Sequence, residues 1–215
     1  VATIAMGVDG TCMLTCEGGR RQAMVGTLGL YDQEGTRLHT LYVAARPEYG
    51  KATFFADMER EIDKVLQRYP TAYRLGLADG AKDNWTFLER YTEAQLIDFY
   101  HASEYLGKVG QAVVPKKTRE QWITDTCHAL KHEAGAAERI CQELQGFLTR
   151  KLSKAKRKTV EAAVTYFTNN AHRMDYASHV AHHHPIGSGV TEAACKSIVK
   201  HRLCGAGMQW KEHGA

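Results

Sequence analysis

Apolar residues in the first third of the chain alternate with small or polar ones before changing to a helical period. Ile4, Met6 and Val8 alternate into Asp9-Gly10, which predicts a strand whose end presents a carboxylate beside a turn residue. Two further strand-like runs, 22–31 and 37–45, are joined by Asp32-Gln33-Glu34-Gly35, a hairpin signal, so an antiparallel three-stranded meander is expected. Phe55, Met58, Ile62, Val65, Leu66 and Tyr69 then recur at three- and four-residue steps, an amphipathic helix that Pro70 ends. A short strand, 74–78, leads to Asp79-Gly80. A helix over 82–91, a brief strand over 95–97 ending in Asp98, and a helix over 99–110 complete the pattern. Strands and helices in this order predict a mixed α/β sheet layered with helices.

From Pro115 the pattern is helical throughout. Leu130, Ala134, Ala137, Ile140, Cys141, Leu144 and Leu148 keep one helical period, and Val160, Ala163, Val164, Phe167, Ala171 and Met174 another. Pro185-Ile186-Gly187-Ser188-Gly189 interrupts it, and a last helix over 191–203 stops at Gly205. The expected organisation is a first core segment over 1–114, an all-helical insertion over 115–186, and a return to the core over 187–215. Because the chain opens on Val1 and stops at Ala215 soon after a helical pattern, it is expected to be a segment of a longer protein.

Composition narrows the class. At 215 residues with 44% hydrophobic, the chain can bury a substantial core, which excludes disorder as its main state. No apolar run approaches the roughly 20 residues that span a bilayer. The net charge of +4 only hints at a polyanionic partner, so the distribution of charge decides. Lys116, Lys117 and Arg119 open the helical segment, and Arg150, Lys151, Lys154, Lys156, Arg157 and Lys158 crowd a second stretch. Such clusters track phosphate backbones, or else form a solvated loop between helices. Six scattered cysteines fit reduced thiols in a cytosol better than a disulfide frame. Cys12 and Cys16 are expected to pack within the first sheet.

Three aspartates, Asp9, Asp79 and Asp98, are placed at predicted strand ends, where open α/β sheets hold ligands. Asp-Gly is also a common turn pair, so each of the first two alone favours a plain turn; three such placements on one sheet weigh against coincidence. Glu192 precedes Lys196 and Lys200 at helical spacing, which suits an exposed ion-pair face or an acidic residue brought to strand-borne aspartates to hold a divalent cation. His179, His182, His183 and His184 lack the paired spacings of a zinc site and suit a polar linker better. Trp122 suits a place between helices better than a base-stacking role. No Ser-His-Asp or Cys-His arrangement supplies a side-chain nucleophile.

Val8-Asp9-Gly10-Thr11, Leu77-Ala78-Asp79-Gly80-Ala81 with Trp85 behind it, Ile97-Asp98-Phe99-Tyr100-His101, Gly187-Ser188-Gly189-Val190-Thr191-Glu192, and 202–210 (Arg-Leu-Cys-Gly-Ala-Gly-Met-Gln-Trp) together resemble the DDE transposases of bacterial insertion sequences. The likeness is greatest to the ISKra-type group within the Mutator-like assemblage and covers the whole chain in order. It implies a ribonuclease H-like mixed sheet flanked by helices, with an all-α insertion before the catalytic helix. Asp9, Asp79 and Glu192 match the catalytic, metal-holding triad, and Asp98 and His101 match an accessory acid-x-x-histidine motif. The resemblance implies Mg²⁺, with Mn²⁺ as substitute, and two-ion hydrolysis and strand transfer of DNA with the ions about 4 Å apart. It further implies transposon-end and target DNA as partners, a homodimer or higher oligomer on DNA, and a bacterial cytoplasmic, nucleoid-associated location. Two rivals share these residues: a ribonuclease H-like nuclease or junction resolvase without strand transfer, and a non-catalytic DNA-binding remnant.

Overall fold

A computed structural model describes residues 1–16, 19–48, 50–79 and 82–211. Its backbone falls into two compact units, Val1–Gln95 with Ser188–Ala215, and Leu96–Gly187.

The first unit holds strands β1 (Thr3–Thr15), β2 (Gly19–Tyr31), β3 (Arg37–Ala45) and β4 (Tyr73–Ala78) and the start of β5 (Ala94–Ile97), in a sheet of open order β3-β2-β1-β4-β5. β1 pairs antiparallel with β2 and parallel with β4, which makes the sheet mixed. The β2–β3 connection is set by Asp32, whose carboxylate accepts from Glu34 N at 3.1 Å and Thr36 N at 2.7 Å, while Gly35 takes φ 78°. Here glycine is needed for a left-handed backbone. Helix α1 (Ala52–Arg68) buries Phe54, Met58, Ile62 and Val65, and ends two residues before Pro70. Phe54 rather than Phe55 leads the buried stripe. Helix α2 (Lys82–Leu88) follows β4.

β1 is longer than its hydrophobic alternation predicted. It does not end at Asp9-Gly10 but continues to Thr15, pairing residue for residue with β2 as far as Thr15↔Gly19. The burial alternation persists where the hydrophobic one does not: Thr11, Met13 and Thr15 are buried, while Cys12, Leu14 and Cys16 are exposed. Asp9 therefore sits inside a strand, and Cys12 and Cys16 face outward rather than packing in the sheet. The extension has a purpose in packing. Met13 of the extension, together with Ala23 and Val25 of β2, buries Ala194, Cys195 and Val199 of the last helical stretch. That stretch comprises α8 (Gly189–Ala194), a π-helical segment (Cys195–Lys200) and a final turn, α9 (His201–Leu203).

The second unit is helical: α3 (Phe99–Val113), α4 (Arg119–His132), α5 (Ala136–Leu148), α6 (Lys154–Asn170) and α7 (Tyr176–Ala181), with a 3₁₀ turn over Ala171–Arg173. The segment 115–186 lies inside this unit, and α3 precedes it and packs on α4 and α6. Gly110 allows the close approach, because a Cβ there would meet Ile123 Cγ1 at 2.6 Å. Leu106, Leu130, Leu144, Val160 and Phe167 form the core. Among the described residues no helix is long and apolar enough to cross a membrane.

Candidate functional site

β1 and β4 pair in parallel from Thr3↔Tyr73 to Gly7↔Leu77. Two residues beyond that last pair stand Asp9, on β1, and Asp79, directly after β4. Parallel strands rise together, so the two aspartates reach the same level of the sheet. Asp9 is half-buried and Asp79 exposed, while Gly80 and Ala81 of the same motif lie outside the described residues. Buried Asn84 of α2 donates through Nδ2 to the Val8 carbonyl at 3.2 Å and accepts from Lys51 Nζ at 3.3 Å. It ties the helix that follows Asp79 to the strand beside Asp9, a positioning contact that no sequence period announces.

Asp9 is held at both oxygens. Oδ1 accepts from Gly10 N at 2.6 Å, and Oδ2 accepts from the Cys195 thiol at 3.5 Å. Glu192 arrives on α8, whose seat on the sheet is set by Thr191. The Thr191 and Thr27 hydroxyls hydrogen-bond at 2.7 Å in a buried contact, directly over Gly7. Glu192 itself is exposed, and its Oε1 accepts from the buried Ser188 hydroxyl at 3.0 Å. A carboxylate in the first turn of a helix also lies at the positive end of the peptide dipoles.

Asp9 and Glu192, 183 positions apart in the sequence, line one open crevice of about 620 Å³, bordered by Lys196 and Lys200. Carboxylate oxygens facing water suit a hard cation such as Mg²⁺, and the ammonium groups suit an anionic substrate. The crevice also contains Cys195. Burial, and then the neighbouring Asp9 carboxylate, push this thiol up to about 12, so at neutral pH it is a proton donor and not an attacking thiolate.

Asp98 and His101 belong to the helical unit. Asp98 is fully buried and caps α3, accepting from His101 N at 2.8 Å, with His101 Nδ1 3.5 Å from the same oxygen. Gly187 packs against it: a Cβ there would meet Tyr100 Cε2 at 2.8 Å and Asp98 Oδ2 at 3.4 Å. Beside it, Tyr176 donates to the Ile97 carbonyl at 3.0 Å, and burial pushes its phenol well above the ordinary range. Capping is thus one role of Asp98. Asp98→Ala is expected to cost about 1 kcal/mol in urea unfolding, whereas Asp98→Asn, which also caps, should cost a few tenths. Equal losses in the two variants would show that the cap contributes nothing.

The basic residues divide into two sets. Arg119 donates to the Gly110 and Val114 carbonyls and to Gln111, closing the C-terminal end of α3, and Arg157 donates to the Leu148 carbonyl. The Arg150 guanidinium lies 4.6 Å from the centre of the Phe147 ring. Lys116, Lys117, Lys151, Lys154, Lys156 and Lys158 are exposed, with Lys154 and Lys158 one turn apart on α6. Trp122 packs edge-on to Phe147 and donates to Glu143 at 2.7 Å, an inter-helix role. His179 is buried rather than part of an exposed linker, with its Nδ1 3.1 Å from that of His184. Burial and the neighbouring imidazoles push His184 down to about 4, so it is neutral at pH 7.

No protein-family model matches the chain, and no curated protein matches it.

Proposed function

We propose that the chain is the catalytic core of a DDE-type insertion-sequence transposase, with Asp9, Asp79 and Glu192 as its acidic triad. The observation that carries this reading is the shared crevice: Asp9 from β1 and Glu192 from α8 line one open cavity, and register brings Asp79 to the level of Asp9. The mixed sheet in the order β3-β2-β1-β4-β5 is compatible with a ribonuclease H-like core. The donor set fits Mg²⁺, because Asp9 and Glu192 offer carboxylate oxygens to an open crevice, and Asp79 would add a third carboxylate. When bound, such ions supply charge stabilisation for in-line displacement at phosphorus.

In the hydrolytic step water forms a bond to phosphorus, the P–O3′ bond breaks, and the departing 3′ oxygen takes a proton. In strand transfer that 3′ hydroxyl attacks a target phosphodiester, losing its proton as its oxygen bonds to phosphorus, while the target P–O3′ bond breaks and the departing oxygen takes a proton, so no energy source is consumed. The protein's part is to hold the acidic groups in place, with Asp9 fixed at both oxygens and Glu192 fixed by Ser188. Asp98 and His101 act as accessory groups in this reading.

The direct test offers supercoiled plasmid and labelled element ends to the protein with Mg²⁺ or Mn²⁺. Nicking that EDTA abolishes, followed by joining of a 3′ end to target, supports the transposase. Nicking without joining favours the nuclease rival, and metal-independent or absent nicking overturns the reading.

DNA binding should rest on the exposed lysines and not on Arg119 or Arg157, which are engaged in the fold. Replacing Lys151, Lys154, Lys156 and Lys158 with Gln is expected to flatten the slope of log K against log salt by up to about 0.9 per lost phosphate contact. An unchanged slope would leave the stretch as a solvated connector.

A further inference from the structure

Cys195 lies where a catalytic helix meets a carboxylate, and nothing in the triad reading requires a cysteine there. Its side chain is 4% exposed, enclosed by Met13, Ala23, Val25, Ala194 and Val199, an environment that any small apolar residue would fill. Yet its sulfur is aimed at Asp9 Oδ2, 3.5 Å away, within the range of a sulfur hydrogen bond. The other Asp9 oxygen is already held by Gly10 N at 2.6 Å. With one donor on each oxygen, rotation of the carboxylate about its Cβ–Cγ bond is opposed from both ends. Cys195 also begins the π-helical segment, in which His201 N reaches back to the Lys196 carbonyl five residues earlier. Such widened turns recur at functional sites and re-aim the side chains around them.

We propose that Cys195 is a positioning residue for Asp9, its S–H holding the carboxylate in the orientation that receives a divalent cation. This rests on the metal-binding reading of the crevice. Groups that orient a ligand typically change metal affinity by about 10- to 100-fold when removed.

The test separates hydrogen bonding from packing. Cys195→Ser and Cys195→Ala are nearly equal in size and differ in the donor, while Cys195→Val removes the donor from a side chain one heavy atom larger. Mn²⁺ affinity is measured by titration calorimetry on the whole chain, and the S–H stretching band by infrared difference spectroscopy against Cys195→Ser. The expected result is that Ser stays within about 3-fold of the parent while Val and Ala lose about 10-fold or more. The Cys195 S–H band should also shift in Asp9→Asn. Should Val match the parent and Ser lose affinity, packing alone explains the cysteine and the proposal is overturned. An S–H band unmoved by Asp9→Asn overturns it as well, whatever the metal results. If the parent binds no Mn²⁺, or Asp9→Asn binds it equally well, the metal-site reading itself fails and takes the metal role of Cys195 with it.

Discussion

On the proposed transposase reading, Asp9→Asn, Asp79→Asn and Glu192→Gln should each reduce metal-dependent nicking by more than about 10³-fold, because losing one carboxylate from a two-ion site removes several kcal/mol of transition-state stabilisation. The substitutions are chosen to leave the fold intact. Asn at position 9 can still accept from Gly10 N, and Gln at 192 can still accept from the Ser188 hydroxyl. What they remove is the charge. Thermal unfolding should therefore change little, while Mn²⁺ affinity falls in parallel with activity. Glu104→Gln serves as the control, since Glu104 is exposed on α3 and pairs with Lys108 at 3.3 Å. Near-parental nicking by any of the three variants would remove that residue from the triad. Loss of activity with unchanged Mn²⁺ affinity would mean that the carboxylates act on the substrate rather than through an ion.

The periodic elements were the legible part. The hairpin, α1 and the α/β order follow from alternation, from helical spacing and from turn residues such as Asp32 and Gly35, each of which acts locally. The end of β1 was not legible, because Asp-Gly is a turn pair in most settings and the alternation beyond it is carried by Thr11, Met13 and Thr15. Only the partner strand, β2, decides that this stretch remains a strand. The positions of Asp79 and Asp98 directly after β4 and β5 agree with the hydrophobic pattern; the capping role of Asp98 required the helix behind it. The role proposed for Glu192 rests on motif resemblance, since its helix carries no periodic signal linking it to β1.

The contacts that seat that helix were the least legible, because each joins residues more than 160 positions apart: Thr27 with Thr191, Gly7 beneath them, and Asp9 with Cys195. One clue did exist. A glycine in the middle of an apolar strand marks a place where another segment comes close. Gly7 has Met6 and Val8 on either side, both buried, and no turn nearby.

Gly7→Ala is accordingly expected to be among the most damaging single substitutions outside the carboxylates. A Cβ at position 7 would stand 2.1 Å from Thr191 Oγ1 and 2.9 Å from Thr27 Oγ1, inside the buried hydroxyl pair. Neither side chain is a flexible arm that can swing away, since β-branching limits Thr to few rotamers and both residues are buried. Relief requires α8 to lift or the hydroxyl pair to separate. Overpacking costs about 1–3 kcal/mol and an unsatisfied buried hydroxyl about 1–3 kcal/mol more, so a loss of about 2–6 kcal/mol is expected in urea unfolding. Lifting α8 would also move Glu192, the residue after Thr191, so nicking should fall even in the folded fraction. Gly10→Ala is the informative contrast: the nearest atoms to its Cβ all belong to the Gln22 side chain, Nε2 at 2.2 Å and Cγ at 2.7 Å, and Gln22 is exposed, so a change of its χ1 rotamer relieves the contact. That variant should cost less than about 1 kcal/mol, the scale of surface substitutions. The mechanism is checked by a double-mutant cycle, since Thr191→Ala removes the hydroxyl that the new methyl group would strike. Gly7→Ala should then cost at least about 1 kcal/mol less in the Thr191→Ala background than alone, the coupling expected of residues in contact. Strict additivity would show that Gly7 is needed for some reason other than the seat of the helix that carries Glu192.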